Sequence, residues 1–168
     1  AKEALFTDGP QKLNYIILDA LRRAEFLGMP IGLPSPDPIV QDLETLQIAE
    51  EQPYIFRLTR LGVEADWRGK GLEFALHVSH LIWSGEPGWN EGDRLAGAAA
   101  KAGLDLADMD AAIAANDPMP VIEANQAALE AAGHWGVPTM VVRGEPFFGQ
   151  DRIDTLRWRL DRLGVPKR

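Results

Sequence analysis

The chain contains 168 residues, 46% of them hydrophobic, and carries a formal net charge of -8. This length and composition are typical of one globular domain with a sizeable core, and the negative charge argues against a nucleic-acid partner, because phosphate binding depends on clustered lysine and arginine. The lack of cysteine excludes a disulfide framework, a thiolate metal site and a Cys-x-x-Cys redox pair within these residues.

Most of the chain is predicted to be helical. Apolar residues recur at helical spacing over residues 11–27, and Gly28 and Pro30 mark the end of that amphipathic helix. The proline-rich residues 30–38 predict an ordered loop. Further helices are predicted over residues 39–52, 53–61, 72–83, 93–102, 106–115 and 118–132. The middle of the chain should therefore be an all-helical bundle.

Local chemistry accounts for two of these helix starts. Asp105 is placed to cap the helix 106–115, because its side chain can accept a hydrogen bond from an N–H of the first turn. Asn116 or Asp117 can cap the next helix, whose first turn holds Pro118, where a missing N–H is harmless. These assignments are structural and carry no functional content.

The most informative stretch is Gly136-Val137-Pro138-Thr139, which opens an apolar run at 140–142. A sheet tolerates proline at the first residue of a strand, and a cis bond there would present the preceding backbone to a ligand. Arg143-Gly144-Glu145 then predicts a hairpin turn, followed by a short strand at Phe147-Phe148 and an amphipathic helix over residues 151–163.

This order of strand, hairpin, strand and helix resembles the C-terminal half of a thioredoxin fold. Gly-Val-Pro-Thr followed by Phe-Phe-Gly-Gln-Asp-Arg at 147–152 resembles, more narrowly, the 2-hydroxychromene-2-carboxylate isomerases and the kappa-class glutathione transferases of the DsbA-like superfamily. A second stretch agrees, because its residues are spaced as in the helix that opens the helical insertion of those isomerases: Lys12, Tyr15, Asp19, Arg22, Ala24, Gly28 and Pro30.

The resemblance implies an α/β, thioredoxin-like fold with a large all-helical insertion. We expect residues 1–135 to form the mainly helical insertion and residues 136–168 the C-terminal part of the thioredoxin-like domain. A thioredoxin fold normally begins with a strand, a helix and a strand, for which residues 1–10 are too short. We therefore expect the natural protein to have a further N-terminal segment, on the order of 40 residues by the size of a βαβ unit.

The resemblance also implies a glutathione site. The backbone of Val137, before Pro138, would pair with the cysteinyl part of glutathione, and Gln150 and Asp151 would hold its γ-glutamyl group. N–H groups at a helix start attract a carboxylate, and Asp151 can accept hydrogen bonds from an ammonium group. Lys12 would lie near this site or the substrate entrance. The alternatives are that Asp151 only caps a helix and that Lys12 is a solvated surface residue.

No catalytic residue is assigned. In the relatives, the serine that stabilises the glutathione thiolate belongs to the first helix of the thioredoxin fold, which we expect upstream of Ala1. Ser35, Ser79 and Ser84 do not lie in the expected strand-to-helix context. His134 and Trp135 could line a substrate pocket or pack on the edge of the sheet.

One helix carries a pattern that is compatible with a metal site. Glu73, His77 and His80 fall at i, i+4 and i+7 of one helix, which permits metal binding, but the full ligand signature of a zinc helix is missing. A partly buried helix face is the favoured interpretation, and we predict no metal.

The predicted function is a glutathione-dependent isomerase that acts on a small aromatic or chromene carboxylate, with glutathione as cofactor. The alternatives are a kappa-like glutathione transferase, a DsbA-like disulfide oxidoreductase if a Cys-x-x-Cys lies upstream, and a non-catalytic glutathione-binding or interaction protein. Without an apolar stretch of about 20 residues or a signal-peptide pattern, we expect no membrane association and a cytoplasmic location. The resemblance and the five tryptophans allow a homodimer.

Overall fold

A computed structural model of the chain describes residues 10–42, 45 and 47–166. This part contains seven α-helices, one 3-10 turn and a two-stranded antiparallel sheet. The elements in chain order are α1 (Pro10–Leu27), α2 (Ile55–Trp67), α3 (Gly71–Trp83), α4 (Arg94–Lys101), α5 (Leu106–Ala115), α6 (Met119–Ala131), β1 (Thr139–Val142), β2 (Glu145–Phe148), the 3-10 turn Gln150–Arg152 and α7 (Ile153–Arg162).

The described residues divide into two compact units. We refer to residues 10–122 as the helical unit and to residues 123–166 as the C-terminal unit. Among the described residues, no helix combines the length and the apolar character that crossing a bilayer would require.

The helix predicted over residues 39–52 is wrong. Its described residues form no helix, and Gln41 and Ile48 make an isolated antiparallel bridge instead. The side-chain amide of Gln52 donates to the carbonyl of Val40 at 2.8 Å and accepts from the N–H of Val40 at 3.0 Å. These bonds replace helical ones. Ile48 stays 55% exposed, so this residue adds no packing that would stabilise a helix.

The other predicted helices are confirmed, with one extension. The helix predicted over residues 53–61 continues to Trp67, because its second half carries Leu61 and Glu64 into the buried interior. Glu64 is tolerated there because its carboxylate accepts a hydrogen bond from Arg68 Nε at 2.6 Å, which compensates for lost hydration.

The core of the helical unit is built by α2, α3, α4 and α5. Its buried members are Leu61, Ala65, Phe74, Val78, Ile82, Trp89, Leu95, Ala98, Ala99, Ala102, Leu104 and Met109. Trp89 is only 2% exposed, and its indole N–H donates to the carbonyl of Pro36 at 2.7 Å. Tyr54 meets the Trp89 ring edge-on at 5.5 Å. Trp89 therefore fixes the proline-rich loop 30–38 against the helices.

Two helix caps are confirmed. The Asp105 side chain accepts a hydrogen bond from the N–H of Asp108 at 2.9 Å. Asp117, rather than Asn116, caps α6, because its Oδ1 accepts from the N–H of Met119 at 3.1 Å. Arg60 Nε also donates to Asp117 at 2.8 Å, and this hydrogen bond, with that from Met119, lowers the pKa of Asp117.

The predicted hairpin is confirmed in the C-terminal unit. Strands β1 and β2 pair antiparallel, with Thr139 opposite Phe148 and Val142 opposite Glu145. Arg143 and Gly144 form the two-residue turn with φ of 50° and 82°, the positive values that a type I′ turn requires at both positions and that match the twist of the strands.

Candidate functional site

Residues 136–139 and 147–152 are the two halves of the C-terminal motif, and one backbone hydrogen bond joins them. The N–H of Gly149 donates to the carbonyl of Pro138 at 2.9 Å. This bond extends the strand pairing by one step beyond Thr139 and Phe148. It therefore brings the Val137-Pro138 peptide next to the turn that begins at Gln150.

Val137 is presented outward from this arrangement. The residue is 79% exposed, and its peptide bond to Pro138 is cis. Among the described residues, the N–H and the C=O of Val137 take part in no hydrogen bond. Both backbone groups are thus left for solvent or a ligand, since exposed polar groups outside a ladder can pair with an incoming chain.

Side chains on either side of Val137 hold the loop in shape. The N–H of Gly136 donates to His134 Nδ1 at 2.9 Å. The hydroxyl of Thr139 donates to the carbonyl of Gly136 at 2.6 Å. The two bonds clamp the Gly136 peptide, and Val137 is the next residue along the chain.

His134 and Trp135 pack in an aromatic cluster with Phe148 of β2. The ring of His134 stacks on Phe148 with centroids 4.3 Å apart and on Trp135 at 5.6 Å. A Cβ at Gly136 would lie 2.5 Å from Phe148 Cε2, closer than any van der Waals contact. Glycine at 136 is therefore what allows the cluster to close. Of the two roles predicted for His134 and Trp135, lining a substrate pocket or packing on the sheet, the structure therefore shows packing.

Asp151 lies over Gly149 at the start of the 3-10 turn. Gly149 has φ 98° and ψ 150°, a region that is essentially restricted to glycine. A Cβ there would lie 2.5 Å from Asp151 Oδ1. The other carboxylate oxygen is 3.2 Å from Arg152 Nη1, and both side chains are more than half exposed. Neither the 3-10 turn nor α7 has a side-chain capping bond, so the capping alternative for Asp151 is not what the structure shows.

The turn also offers hydrogen-bond donors beside that carboxylate. The N–H of Arg152 bonds to the carbonyl of Gly149 at 3.1 Å. Within the described part of the chain, the N–H groups of Gln150 and Asp151 have no acceptor. The site therefore combines free amide donors with an exposed carboxylate, a pairing suited to a ligand that carries both a carboxylate and an ammonium group.

An ion pair fixes the hairpin to the helix that follows the turn. Arg159 of α7 donates from Nε to Glu145 of β2 at 2.8 Å, and its Nη2 donates to the other carboxylate oxygen. The hydrogen bonds from Arg159 lower the pKa of Glu145. This bidentate pair holds α7 beside the hairpin and so supports the turn between them.

Two further predicted features belong to the helical unit. Lys12 belongs to α1, but its side chain lies outside the described residues, so its role near the site stays a prediction. On α3, His77 is half-buried and His80 is exposed. The residues that the structure describes contain no group of three His, Asp or Glu side chains placed to hold a metal ion.

Comparison with known proteins identifies the family. The DSBA-like thioredoxin domain matches residues 3–161. The chain belongs to this family. The solved structure of a 2-hydroxychromene-2-carboxylate isomerase superposes on this DsbA-like domain with a TM-score of 0.64 and 20% sequence identity, covering 91% of this chain and 68% of that chain. No curated protein matches the chain.

These comparisons confirm the predicted thioredoxin-like α/β class and the resemblance to the isomerase fold. At 20% identity the likeness concerns the fold, and function has to be argued from the site. The sequence predicted Val137, Pro138, Gln150 and Asp151 as site residues but not Gly149. The signal for Gly149 was its position between Phe148 and Gln150 in the motif.

Proposed function

We propose that this DsbA-like domain is a glutathione-dependent isomerase that acts on a small aromatic or chromene carboxylate. The observation that carries the proposal is the Gly149–Pro138 hydrogen bond, which joins the outward-facing Val137 backbone to the Gln150-Asp151 turn. The fold of the 2-hydroxychromene-2-carboxylate isomerase supports the same choice by analogy.

The residues present fit glutathione as a cofactor. Glutathione is a peptide, and the free N–H and C=O of Val137 can pair with its backbone as an added strand does. The Asp151 carboxylate would accept hydrogen bonds from the γ-glutamyl ammonium group. The N–H groups of Gln150 and Asp151 would donate to the neighbouring carboxylate. Lys12 remains a further proposed contact near this site.

When bound, glutathione would supply a thiol that adds reversibly to a conjugated substrate and leaves after bond rotation. The residues of this chain described above bind and orient glutathione. Val137 fixes the peptide direction, and the Asp151 turn anchors the end remote from the thiol. Such anchoring converts binding energy into positioning of the reactive group.

A second candidate is glutathione binding without isomerisation. This alternative concerns the residues described above, among which Ser35, Ser79 and Ser84 all lie in the helical unit rather than in the motif. Transfer of glutathione to an electrophile is a related alternative. Product analysis separates the three activities, because transfer leaves a stable conjugate, isomerisation regenerates free glutathione, and binding alone gives no product.

The test is calorimetric titration with reduced glutathione of the wild type, Asp151→Asn and Asp154→Asn. Loss of a hydrogen-bonded charge should weaken binding about tenfold or more in Asp151→Asn. Asp154 is the matched control, because it is an exposed acid in the first turn of α7 and its replacement changes the net charge equally. Equal affinities in the two variants would contradict the assigned site, and absence of binding to the wild type would overturn the proposal. S-hexylglutathione then probes an adjoining apolar pocket, and isomerase assays follow.

A further inference from the structure

The helical unit contains a solvent-open cavity of about 470 Å³ between α3 and α4, and His80, Arg94 and Lys101 on its lining are exposed. His77 and His80 of α3 line one side, and Arg94, Gly97 and Lys101 of α4 line the other. Residues three or four positions apart share one face of a helix, so each helix directs a whole stripe towards this space. The two stripes face each other because α3 and α4 are packed together.

The lining is positively charged in a chain whose net charge is -8. Arg94 and Lys101 supply two cationic side chains, and each imidazole of His77 and His80 carries an N–H donor. Glu86 is the one carboxylate among the described lining residues. In the described part of the chain, no ion pair joins Glu86 to either cation. The described lining therefore carries more positive than negative charge, and its carboxylate is not ion-paired with either cation.

Arg94 is held in place at the rim. Its Nη1 donates to the carbonyl of Pro87 at 2.5 Å, which restrains the guanidinium while leaving its other N–H groups for a second partner. A guanidinium has five donors in a planar fork that suits two oxygen atoms of an anion. Lys101, in the last turn of α4, adds a second cation on the same face of the helix, about two turns further along.

The cavity also has an apolar wall and room for a molecular body. Leu81 and Ala98 contribute to its lining, and Gly97 contributes no side chain. A Cβ at Gly97 would meet no atom within 4 Å, so neither close packing nor a positive φ requires glycine there. Glycine is a poor helix former, yet at this position its effect is to keep the space between the helices open.

We propose that this cavity is a binding site for a small organic anion, in which a carboxylate or phosphate group meets Arg94 and Lys101 and an apolar body lies against Leu81 and Ala98. The proposal uses residues of the helical unit alone and does not rest on glutathione binding. Carboxylate and phosphate share the recognition chemistry of paired cationic donors, and the experiment distinguishes them.

The first experiment titrates the 168-residue chain with benzoate, phenyl phosphate and uncharged benzamide, followed by backbone amide chemical shifts in nuclear magnetic resonance. We expect saturable shifts in α3 and α4 with at least one anion, at an affinity about tenfold or more above that of benzamide. Preference for phenyl phosphate or for benzoate identifies the anionic group. Failure of both anions to saturate at millimolar concentration, or equal binding of benzamide, would overturn the proposal.

Charge variants of the cavity provide a second test. If these residues had only a structural role, their replacement would not change the anion affinity in opposite directions. Lys101→Gln should weaken anion binding about tenfold, whereas Glu86→Gln should strengthen it by about two- to fivefold. Arg157→Gln in α7 is the control with the same change in net charge as Lys101→Gln. If Lys101→Gln and Arg157→Gln bind alike, or if both cavity variants change affinity in the same direction, the site is wrong.

A steric variant completes the test. Gly97→Leu should fill the cavity and abolish binding without lowering the thermal stability, because leucine is the better helix former and its Cβ meets no neighbour. Gly97→Ala should retain most of the binding. Undiminished affinity in a folded Gly97→Leu protein would show that the ligand lies elsewhere and would overturn the proposal.

Discussion

The Gly149 N–H and the Pro138 carbonyl, 2.9 Å apart, connect two motif halves that lie eleven positions apart in the sequence. A single hydrogen bond is enough to connect them, because the pairing of β1 with β2 already places these two backbones at the distance of neighbouring strands. Proline cannot return a second hydrogen bond, so the contact depends on the backbone of Gly149 keeping its special conformation.

Replacement of Gly149 by alanine should disrupt this contact. Alanine at φ 98° is strained, and its Cβ would lie 2.5 Å from Asp151 Oδ1. We expect a loss of about 1–3 kcal/mol in the free energy of unfolding, together with weakened glutathione binding. Urea denaturation followed by circular dichroism measures the first effect. Gly62→Ala, in α2 where nothing lies within 4 Å of a Cβ, should not destabilise the protein; equal losses in the two variants would contradict the explanation.

A second prediction concerns Gly136 and the aromatic cluster. Gly136→Ala places a Cβ 2.5 Å from Phe148 Cε2, so the ring must leave its stack on His134. Overpacking of this kind costs about 1–3 kcal/mol. The double variant Gly136→Ala/Phe148→Leu should recover part of that loss, because the smaller side chain leaves room for the methyl group. A double-mutant cycle measured by urea denaturation tests this, and strictly additive effects would show that the two positions do not compete for space.

The third prediction is a pH dependence. Because hydrogen bonds from Arg159 lower the pKa of Glu145 in the folded protein, the pair stabilises the fold at neutral pH, and this contribution is lost as the pH falls below about 4.5 and through the folded pKa. Glu145→Gln should therefore show a smaller difference in unfolding midpoint between pH 7 and acid than the wild type does. Glu123→Gln, an exposed residue of α6, is the control. Parallel pH profiles for wild type and Glu145→Gln would count against the ion pair.

A fourth prediction concerns Trp89. Trp89→Phe removes the donor to the Pro36 carbonyl and leaves a gap in the core, so we expect a loss of about 1–3 kcal/mol in the free energy of unfolding. The loop 30–38 should also become more accessible, which limited proteolysis would detect. Trp67→Phe changes a residue that is 47% exposed and should stay within about 0.5 kcal/mol of the wild type. Similar losses in both variants would mean that the indole bond contributes little.

Local patterns predicted much of this protein. The helix over residues 106–115 has the predicted bounds, because Asp105 caps it and its apolar spacing is regular. The hairpin was recognisable from an apolar run, a Gly-containing turn and a second apolar pair. The proline motif led to the thioredoxin-like class, which the family match confirms.

Other features depended on contacts between distant residues. The described residues of the segment 39–52 form no helix despite its helical periodicity, because Gln52 satisfies the backbone of Val40 and Ile48 stays exposed. The cavity beside Gly97 arises only where α3 and α4 come together. The meeting of Val137 with the Asp151 turn likewise requires the strand pairing that brings Gly149 to Pro138.

Element type therefore follows from short-range chemistry that a sequence displays directly: periodic burial, caps and turn residues. The site and the cavity follow from which of those elements pack together and at what distance. That outcome depends on the sum of many small packing and hydrogen-bond energies across the chain, and no single stretch of sequence contains it.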